Sequence, residues 1–484
     1  MGRLSSLASD TVIYGATTIL SRLLNWLLMP YYLTLVTKSV YGQFSGIYAI
    51  IAILLVLACL GLETGYFRFV NKDNRKTIFD TLNLCMVSFG LLLVLILNIF
   101  REPFAALFSF PEDSSMIMLI SSLIVVADAV NSLYFADLRF IRQGKKYALI
   151  RLLQVIVNII FTIFFMEILR YQVLFGIDFT AFGDIEYLLL SNLIGSLTPF
   201  LFYVPGYLKE KHSVDFALLK QVMTYSLPLL AMGFFGITNQ EIEKLLILHL
   251  DISPDPHGQL GIYSANYKIG VLMAVFTQSF RLAFEPFFFK ETQRDKSDTS
   301  VYAESMKYFY MFGLLIFVGV ILFIPLFNYI IQPEYYEGNK IIPIVLLSQL
   351  LFGVYYNLSI WYKVTDKTYY GFIFSVVGLT VNVIMNCLLI PSYSYYGAAI
   401  SAFTAFFVMV LVSLLLGKKH YPINYPILKL INLTLIAIFI VVAYTYFTEN
   451  FYLVPWYVWS VVGVLTYLLV VVLFEKKNVS KVLA

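Results

Sequence analysis

The chain has 484 residues, 60% of them hydrophobic and only 13% charged, with a mean hydropathy of +0.82. Soluble domains carry about 25% charged residues, so an ordinary globular protein is excluded; apolar runs of about 20 residues also exclude a membrane β-barrel, whose strands alternate over about ten. The formal charge of +4 is small for this length and suggests no nucleic-acid partner. Where the charges fall is more informative.

The pattern predicts an all-α polytopic membrane protein with fourteen transmembrane helices. The first apolar run is too long for a cleavable signal peptide and is not followed by a small-residue cleavage pattern. Met1-Gly2 with Ser6 matches a myristoylation pattern, which a polytopic protein does not need. Spans are expected at 10–33, 44–69, 78–100, 115–137, 147–169 and 185–206. A second series follows at 222–249, 261–288, 306–330, 340–362, 370–391, 396–416, 428–448 and 456–474. Pro333, Pro391, Pro422, Pro426 and Pro455 punctuate the later breaks.

Lysine and arginine segregate to alternate loops. One set holds Lys72, Arg75 and Lys76, then Arg139, Arg142, Lys145 and Lys146, then Lys209, Lys211 and Lys220; the set continues to Lys476, Lys477 and Lys481. The opposite loops hold only Lys38, Arg101, Arg170 and Lys340. Positive charge stays on the cytoplasmic side, so both termini are expected there.

Tyr41-Gly42-Gln43-Phe44-Ser45-Gly46-Ile47-Tyr48 finds an echo in His257-Gly258-Gln259-Leu260-Gly261-Ile262-Tyr263. A weaker match joins Arg139–Tyr147 to Trp361–Tyr369. The expected organisation is an N-terminal lobe at 1–206, a cytoplasmic linker at 207–220, a C-terminal lobe at 221–416, and two further helices with a tail at 417–484. Both lobes would enter the membrane from the cytoplasm, as a parallel repeat of two six-helix lobes.

Polar residues within apolar spans are costly and mark pathways. Span 7 carries Asn239, Gln240, Glu241, Glu243 and Lys244, with Glu241 pointing away from the other stripes; span 8 carries Lys268, Gln278, Arg281 and Glu285. Arg22 and Asn25 share a face of span 1, Glu63 and Arg68 close span 2, span 4 has Asp128 and Asn131, and span 11 has Asn382 and Asn386. The functional reading is a hydrophilic cavity between the halves, lined by spans 1, 2, 7 and 8. There Arg22, Arg281 and Lys244 attract an anion. Glu63, Glu243 or Glu285 bind the coupling ion, H⁺ or Na⁺, while Asn25, Asn239, Gln240 and Gln278 line the wall. The bland readings are snorkelling or pairing for Arg68, Arg281 and Glu285, a latch for Glu243 with Lys244, and helix–helix hydrogen bonds for the Asp128–Asn131 and Asn382–Asn386 pairs. Cys59, Cys85 and Cys387 form no disulfide or metal spacing, and no organic cofactor is implied. Enzyme chemistry is poorly supported: there is no P-loop, no Gly-x-Ser-x-Gly, and no His pair with ligand spacing.

Tyr14-Gly15 to Pro30 followed by Tyr41-Gly42 resembles the first span of bacterial polysaccharide-export flippases. Gly61-Leu62-Glu63-Thr64-Gly65-Tyr66-Phe67-Arg68-Phe69 is similar to that family's Gly-x-Glu-Thr-x-Phe-Phe-Arg-Phe segment. Asn239 through Lys244 resembles its Asn-Glu-x-x-Asp-Arg stretch, with Gln240, Glu243 and Lys244 in place of the usual Glu, Asp and Arg. Ala283–Phe289, Trp361–Thr368 and Gly397–Ala399 extend the likeness over nearly the whole chain. The resemblance implies the multidrug/oligosaccharidyl-lipid/polysaccharide exporter superfamily and its two six-helix lobes. It further implies transfer of an undecaprenyl-pyrophosphate-linked oligosaccharide across the bacterial cytoplasmic membrane, for O-antigen or capsule assembly. Partners would be that lipid-linked substrate, membrane lipid, and the polymerase and ligase machinery. Spans 13 and 14 would shape a groove for the polyprenyl tail. The rivals are a small-molecule cation antiporter of the same superfamily, a membrane glycan polymerase or ligase, and a lipid II flippase.

Overall fold

The computed structural model describes residues 2–107, 115–174, 177–178, 182–294, 299–365, 367–451 and 453–482, with side chains described for these except 2–13, 107, 173–174, 177–178, 282–283, 285–294 and 476–482. In hydrocarbon an unpaired backbone group has no water to turn to, so long apolar runs close their hydrogen bonds internally as helices. The described residues follow that rule, apart from a two-residue ladder pairing Val173–Leu174 with Ile177–Asp178. Ten helices among them are long and apolar enough to cross a membrane, or eleven when the bent pair Asp184–Leu197 and Phe200–Tyr207 is one span. The chain is thus a multi-span helical membrane protein. The helix Tyr369–His420 has 52 residues and breaks at Ser394 (φ 50°, ψ −136°). At about 1.5 Å per residue it is more than twice the thickness of a bilayer core.

The chain forms two compact units, Met1–Gly261 and Ile262–Ala484. The first contains α1 (Gly2–Leu35), α2 (Lys38–Cys59), α3 (Leu62–Phe69), α4 (Arg75–Ile99), α5 (Arg101–Leu107), α6 (Ser115–Phe140) and α7 (Gly144–Glu167). It continues through α8 (Asp184–Leu197), α9 (Phe200–Tyr207), α10 (Phe216–Leu250) and the first turns of α11 (Pro256–Arg294). Its core gathers Ile51, Leu62, Tyr66, Leu82, Val125, Leu133, Leu189 and Val222, so α10 packs with the helices that precede it. Caps begin these helices in the ordinary way. Thr37 accepts from the Val40 N–H at the start of α2, and Asp215 accepts from the Ala217 and Leu218 N–H groups at the start of α10.

The stretch before α10, expected as a linker, is tied to α4. Asp80, 2% exposed, accepts the Ser213 N–H at 3.0 Å and lies 3.3 Å from His212 Nδ1. Thr81 Oγ1 accepts the Asp215 N–H at 3.0 Å. Beside it, Lys76 meets Glu210 at 2.7 Å and holds that carboxyl below its usual range. More deeply placed, Asp137 accepts both Arg75 Nε (2.7 Å) and Arg75 Nη2 (2.6 Å), and the Tyr66 hydroxyl at 2.6 Å. Asp137→Asn, which breaks a fork on a carboxylate only 6% exposed, is expected to cost about 1–3 kcal/mol, discounted because Arg75 reaches water. Thermal unfolding in detergent checks this, with the exposed Lys76→Gln variant unchanged beside it.

The second unit contains the rest of α11, then α12 (Ser300–Leu322), α13 (Ile324–Phe327), α14 (Ile342–Leu358), α15 (Ile360–Val364), α16 (Tyr369–His420), α17 (Ile427–Asn450) and α18 (Trp456–Val482). Trp361 is 1% exposed and donates to Ser413 Oγ at 3.2 Å, fixing α15 on α16. Asn386 donates to Asn382 Oδ1 at 2.7 Å, both side chains being buried. The last two helices dock on α12, where Ser460 Oγ donates to the Leu322 carbonyl (2.6 Å) and Tyr467 to that of Met311 (3.0 Å). Their other faces leave Leu435, Phe439, Leu465 and Leu469 exposed, as suits a lipid-facing surface. Cys59, Cys85 and Cys387 are free thiols.

Candidate substrate cavity

A cavity of about 920 Å³ lies in the first unit and is lined throughout by its residues. Three helices each contribute a polar stripe at three- and four-residue spacing, the periodicity of one helical face. From α1 come Thr18, Arg22 and Asn25; from α6, Asp128, Asn131, Phe135 and Arg139; from α7, Tyr147, Arg151, Gln154 and Asn158. Asn192, Gly195 and Ser196 of α8, Cys59 of α2, Glu63 and Thr64 of α3, and Leu229, Leu230, Met232 and Gly233 of α10 also line the wall.

The position of Glu63 follows from the glycines around it. Leu60 (φ 51°) and Gly61 (φ 67°) end α2 and start α3 in consecutive left-handed conformations. Gly61 and Gly65, one turn apart, sit against α10: a Cβ on the first would stand 2.8 Å from the Ser226 carbonyl oxygen, and one on the second 2.4 Å from Ser226 Oγ. Residues between two such contacts project to the other side, and Glu63 and Thr64 reach the cavity.

The charges are held, not loose. Arg139 donates to Glu63 Oε1 at 2.5 Å, with its guanidinium over the Phe67 ring at 5.1 Å. Arg151 lies over Phe135 at 5.3 Å and donates to Gln154 Oε1 at 3.0 Å. Gln154 in turn donates to Asp128 Oδ1 at 3.5 Å, while Asn131 donates to the Ser196 carbonyl at 2.7 Å and joins α6 to α8. The lining therefore carries Arg22, Arg139 and Arg151 against Glu63 and Asp128. An aromatic face beneath a guanidinium leaves its donor edge oriented, and that edge matches phosphate oxygens in pairs.

Of the residues singled out in the sequence, the structure brings Arg22, Asn25 and Glu63 together in this cavity, with Asp128 and Asn131 beside them. The span 7 group does not line it. Lys244 pairs with Glu241 at 2.6 Å, a turn apart on α10, so Glu241 does not point elsewhere but is the partner of Lys244. Glu243 (1% exposed) and Asn239 (2%) are buried, and Gln240 donates to the Gly236 carbonyl at 3.2 Å. Arg281 belongs to the second unit. Its guanidinium lies 4.9 Å from the Tyr356 ring centre in a pocket of about 30 Å³ with Thr277, Asn357 and Lys363. Gln278 sits on the same helix, half-buried. Glu285 is on α11, but its side chain lies outside the described residues.

Arg151 and Gln154 are the most consequential of the cavity residues that sequence reasoning missed, beside Thr18, Asn192 and Ser196. In the sequence Arg139 enters through the cytoplasmic charge and the weaker repeat match, not as a cavity residue. The signal was present: 147, 151, 154 and 158 form a single polar stripe in an otherwise apolar span.

The fold is shared with known transporters. The structure of lipid II flippase MurJ in an inward closed conformation superposes with a TM-score of 0.75 at 16% identity, covering 97% of this chain and 100% of that one. An inward-facing multidrug resistance MATE family transporter of the MOP superfamily gives 0.63 at 14% identity, covering 82% and 94%. The Vibrio cholerae MATE transporter VcmN gives 0.59 at 14% identity, covering 86% and 96%. At these identities the likeness speaks for fold alone. No curated protein matches the chain in sequence. The family model described as polysaccharide biosynthesis protein matches residues 7–292, more than half of the length, and the chain belongs to that family.

Proposed function

We propose that the protein is a flippase that carries a polyprenyl-pyrophosphate-linked oligosaccharide across the cytoplasmic membrane for surface polysaccharide assembly. The observation that carries this reading is the cavity: about 920 Å³, with three arginines against two acids. That volume suits a pyrophosphate with its first sugars, since ligand sites run to roughly 300–1,000 Å³. The polyprenyl tail stays in lipid, and spans 13 and 14 leave an apolar surface along which it can lie. A cation antiporter is disfavoured by the excess of arginine, because a positively charged cargo would be repelled from such a wall.

In this reading the chain crosses the membrane fourteen times with both termini in the cytoplasm. Lobes at 1–206 and 221–416 alternate access, helices 13 and 14 follow, and an ion gradient drives the cycle. The broken 52-residue α16 supplies two of those crossings, and the segregated lysines and arginines support the orientation. The polymerase and ligase that use the exported glycan are the natural partners.

Deletion of the chain from its own cell is expected to leave a lipid-linked oligosaccharide accumulating at the cytoplasmic leaflet, with surface polysaccharide lost. Lipid II as the accumulating species would instead assign the cell-wall precursor, and an altered drug tolerance with normal glycan would assign the antiporter.

A further inference from the structure

The two acids of the cavity are held differently. Glu63 is closed by a direct contact with Arg139. Asp128 meets its base through an intermediary: Arg151 donates to Gln154 Oε1 at 3.0 Å, and Gln154 donates onward to Asp128 Oδ1 at 3.5 Å. Arg151, Gln154 and Asp128 all face the cavity space. The amide thus keeps a cation and an anion apart at a place where a ligand can reach both.

The groups around Asp128 can be named helix by helix. From α7 they are Arg151, Gln154 and Asn158; from α8, Asn192 and Ser196; from α1, Arg22; from α3, Glu63. From α2, Tyr48 and Cys59 lie within its electrostatic reach. Arg139 is three turns along α6 itself, and α4 meets α6 through Gly90 and Val126. Of the cations among these groups, Arg151 is joined to Asp128 by hydrogen bonds through the Gln154 amide.

We propose that headgroup binding recruits a proton at Asp128: a polyprenyl pyrophosphate that engages Arg151 draws that cation's charge away from Asp128, and the carboxylate takes up one proton from the bulk solvent, donated by the buffer acid and relayed through the cavity, as the anion binds. The O–H bond formed at Asp128 is matched by the one the buffer acid gives up, and no other bond changes. The inference rests on reading the cavity as the headgroup site. Its physical basis is reciprocal: an anion beside a carboxylate disfavours the charged form, and the protonated acid no longer repels the anion. Proton and headgroup therefore enter the cavity as a pair, which lowers the charge moved through the membrane.

The test uses the full chain, purified in detergent and titrated calorimetrically with farnesyl pyrophosphate in buffers of different ionisation heat. Wild type is expected to take up about 0.5–1 proton per ligand near neutral pH, and to bind roughly tenfold more weakly across a two-unit rise in pH. Asp128→Asn mimics the neutral acid and is expected to bind at least as tightly, with the uptake reduced to what the ligand itself contributes. Asp128→Glu restores it. Equal uptake by wild type and Asp128→Asn overturns the inference and leaves the headgroup site standing. Absence of binding by wild type overturns both. If Asp128→Asn does not purify as a folded protein, the infrared difference spectrum of wild type decides: a new protonated-carboxyl band on adding ligand supports the proposal, and its absence overturns it.

Discussion

Arg22→Ala together with Arg151→Ala is expected to abolish surface polysaccharide in a strain lacking the native chain, at unchanged membrane abundance. Each arginine that forks onto a pyrophosphate supplies charge-assisted hydrogen bonds of about 1.5–3 kcal/mol, so each single variant should lose roughly 10- to 100-fold in headgroup affinity. Arg22 stands on α1 and Arg151 on α7, so the two losses come from different walls of one cavity and should compound. Arginine-to-lysine changes keep the charge but not the planar fork, and partial function is expected. Arg139→Ala is a different experiment, because it strips Glu63 of its partner and leaves a lone carboxylate facing the incoming anion. Its defect should be relieved by adding Glu63→Gln. Arg281→Ala is expected to be milder. The pocket it lines, about 30 Å³, has room for only a few waters against the 920 Å³ of the cavity in the first unit, and is too small for a pyrophosphate with its sugars. A full defect in Arg281→Ala with normal function in Arg22→Ala, Arg151→Ala would reverse the assignment. Glycan quantified against membrane protein level separates these outcomes.

Much of this was legible in the sequence where the physics is local. Apolar runs read as helices because hydrocarbon permits little else, and family motifs such as Gly61–Phe69 gave the resemblance that the family model supports. Arg22, Asn25 and Glu63 were found because each breaks an apolar pattern. What sequence could not supply was direction across helices. Span 7 is the most polar of the apolar segments, yet Lys244 spends its charge on Glu241 one turn away, and Glu243 is sealed at 1% exposure. Spacing of three or four shows that two groups share a face, not which neighbour that face meets. Arg151 was missed for the opposite reason. It lies one turn inside a span whose start is crowded with Lys145 and Lys146, where a basic residue stands out less than it does in mid-span. Hydropathy predicts fourteen spans, whereas ten or eleven of the described helices are long and apolar enough to cross a membrane. Part of the difference is that α16 runs as one broken helix through two expected spans.

Gly42→Ala and Gly261→Ala are each expected to lower the stability of the folded chain sharply. The first turns of α2 and α11 cross at these glycines with backbone against backbone. A Cβ at Gly42 would fall 1.8 Å from the His257 carbonyl oxygen, and one at Gly261 would fall 2.0 Å from that of Lys38. Neither obstacle is the flexible end of a side chain, so the helices themselves must separate, and the packing around the buried Tyr41, Phe44 and Leu260 must open with them. Overpacking of this kind costs about 1–3 kcal/mol or more, and here the displaced element is a whole helix start. This crossing explains the glycines at 42 and 261, where the approach admits no side chain; Gly258 instead lies against the Asp255 carboxylate of its own helix start. The expected result is a fall of several degrees in detergent melting temperature and reduced membrane abundance for either alanine, and little accumulation for Gly42→Leu. Gly206→Ala is the matched control, since nothing stands within 4 Å of a Cβ placed there. Wild-type melting for Gly42→Ala alongside Gly206→Ala would mean the crossing is looser than its backbone contacts require. The account of how α2 is held against α11 would then fail.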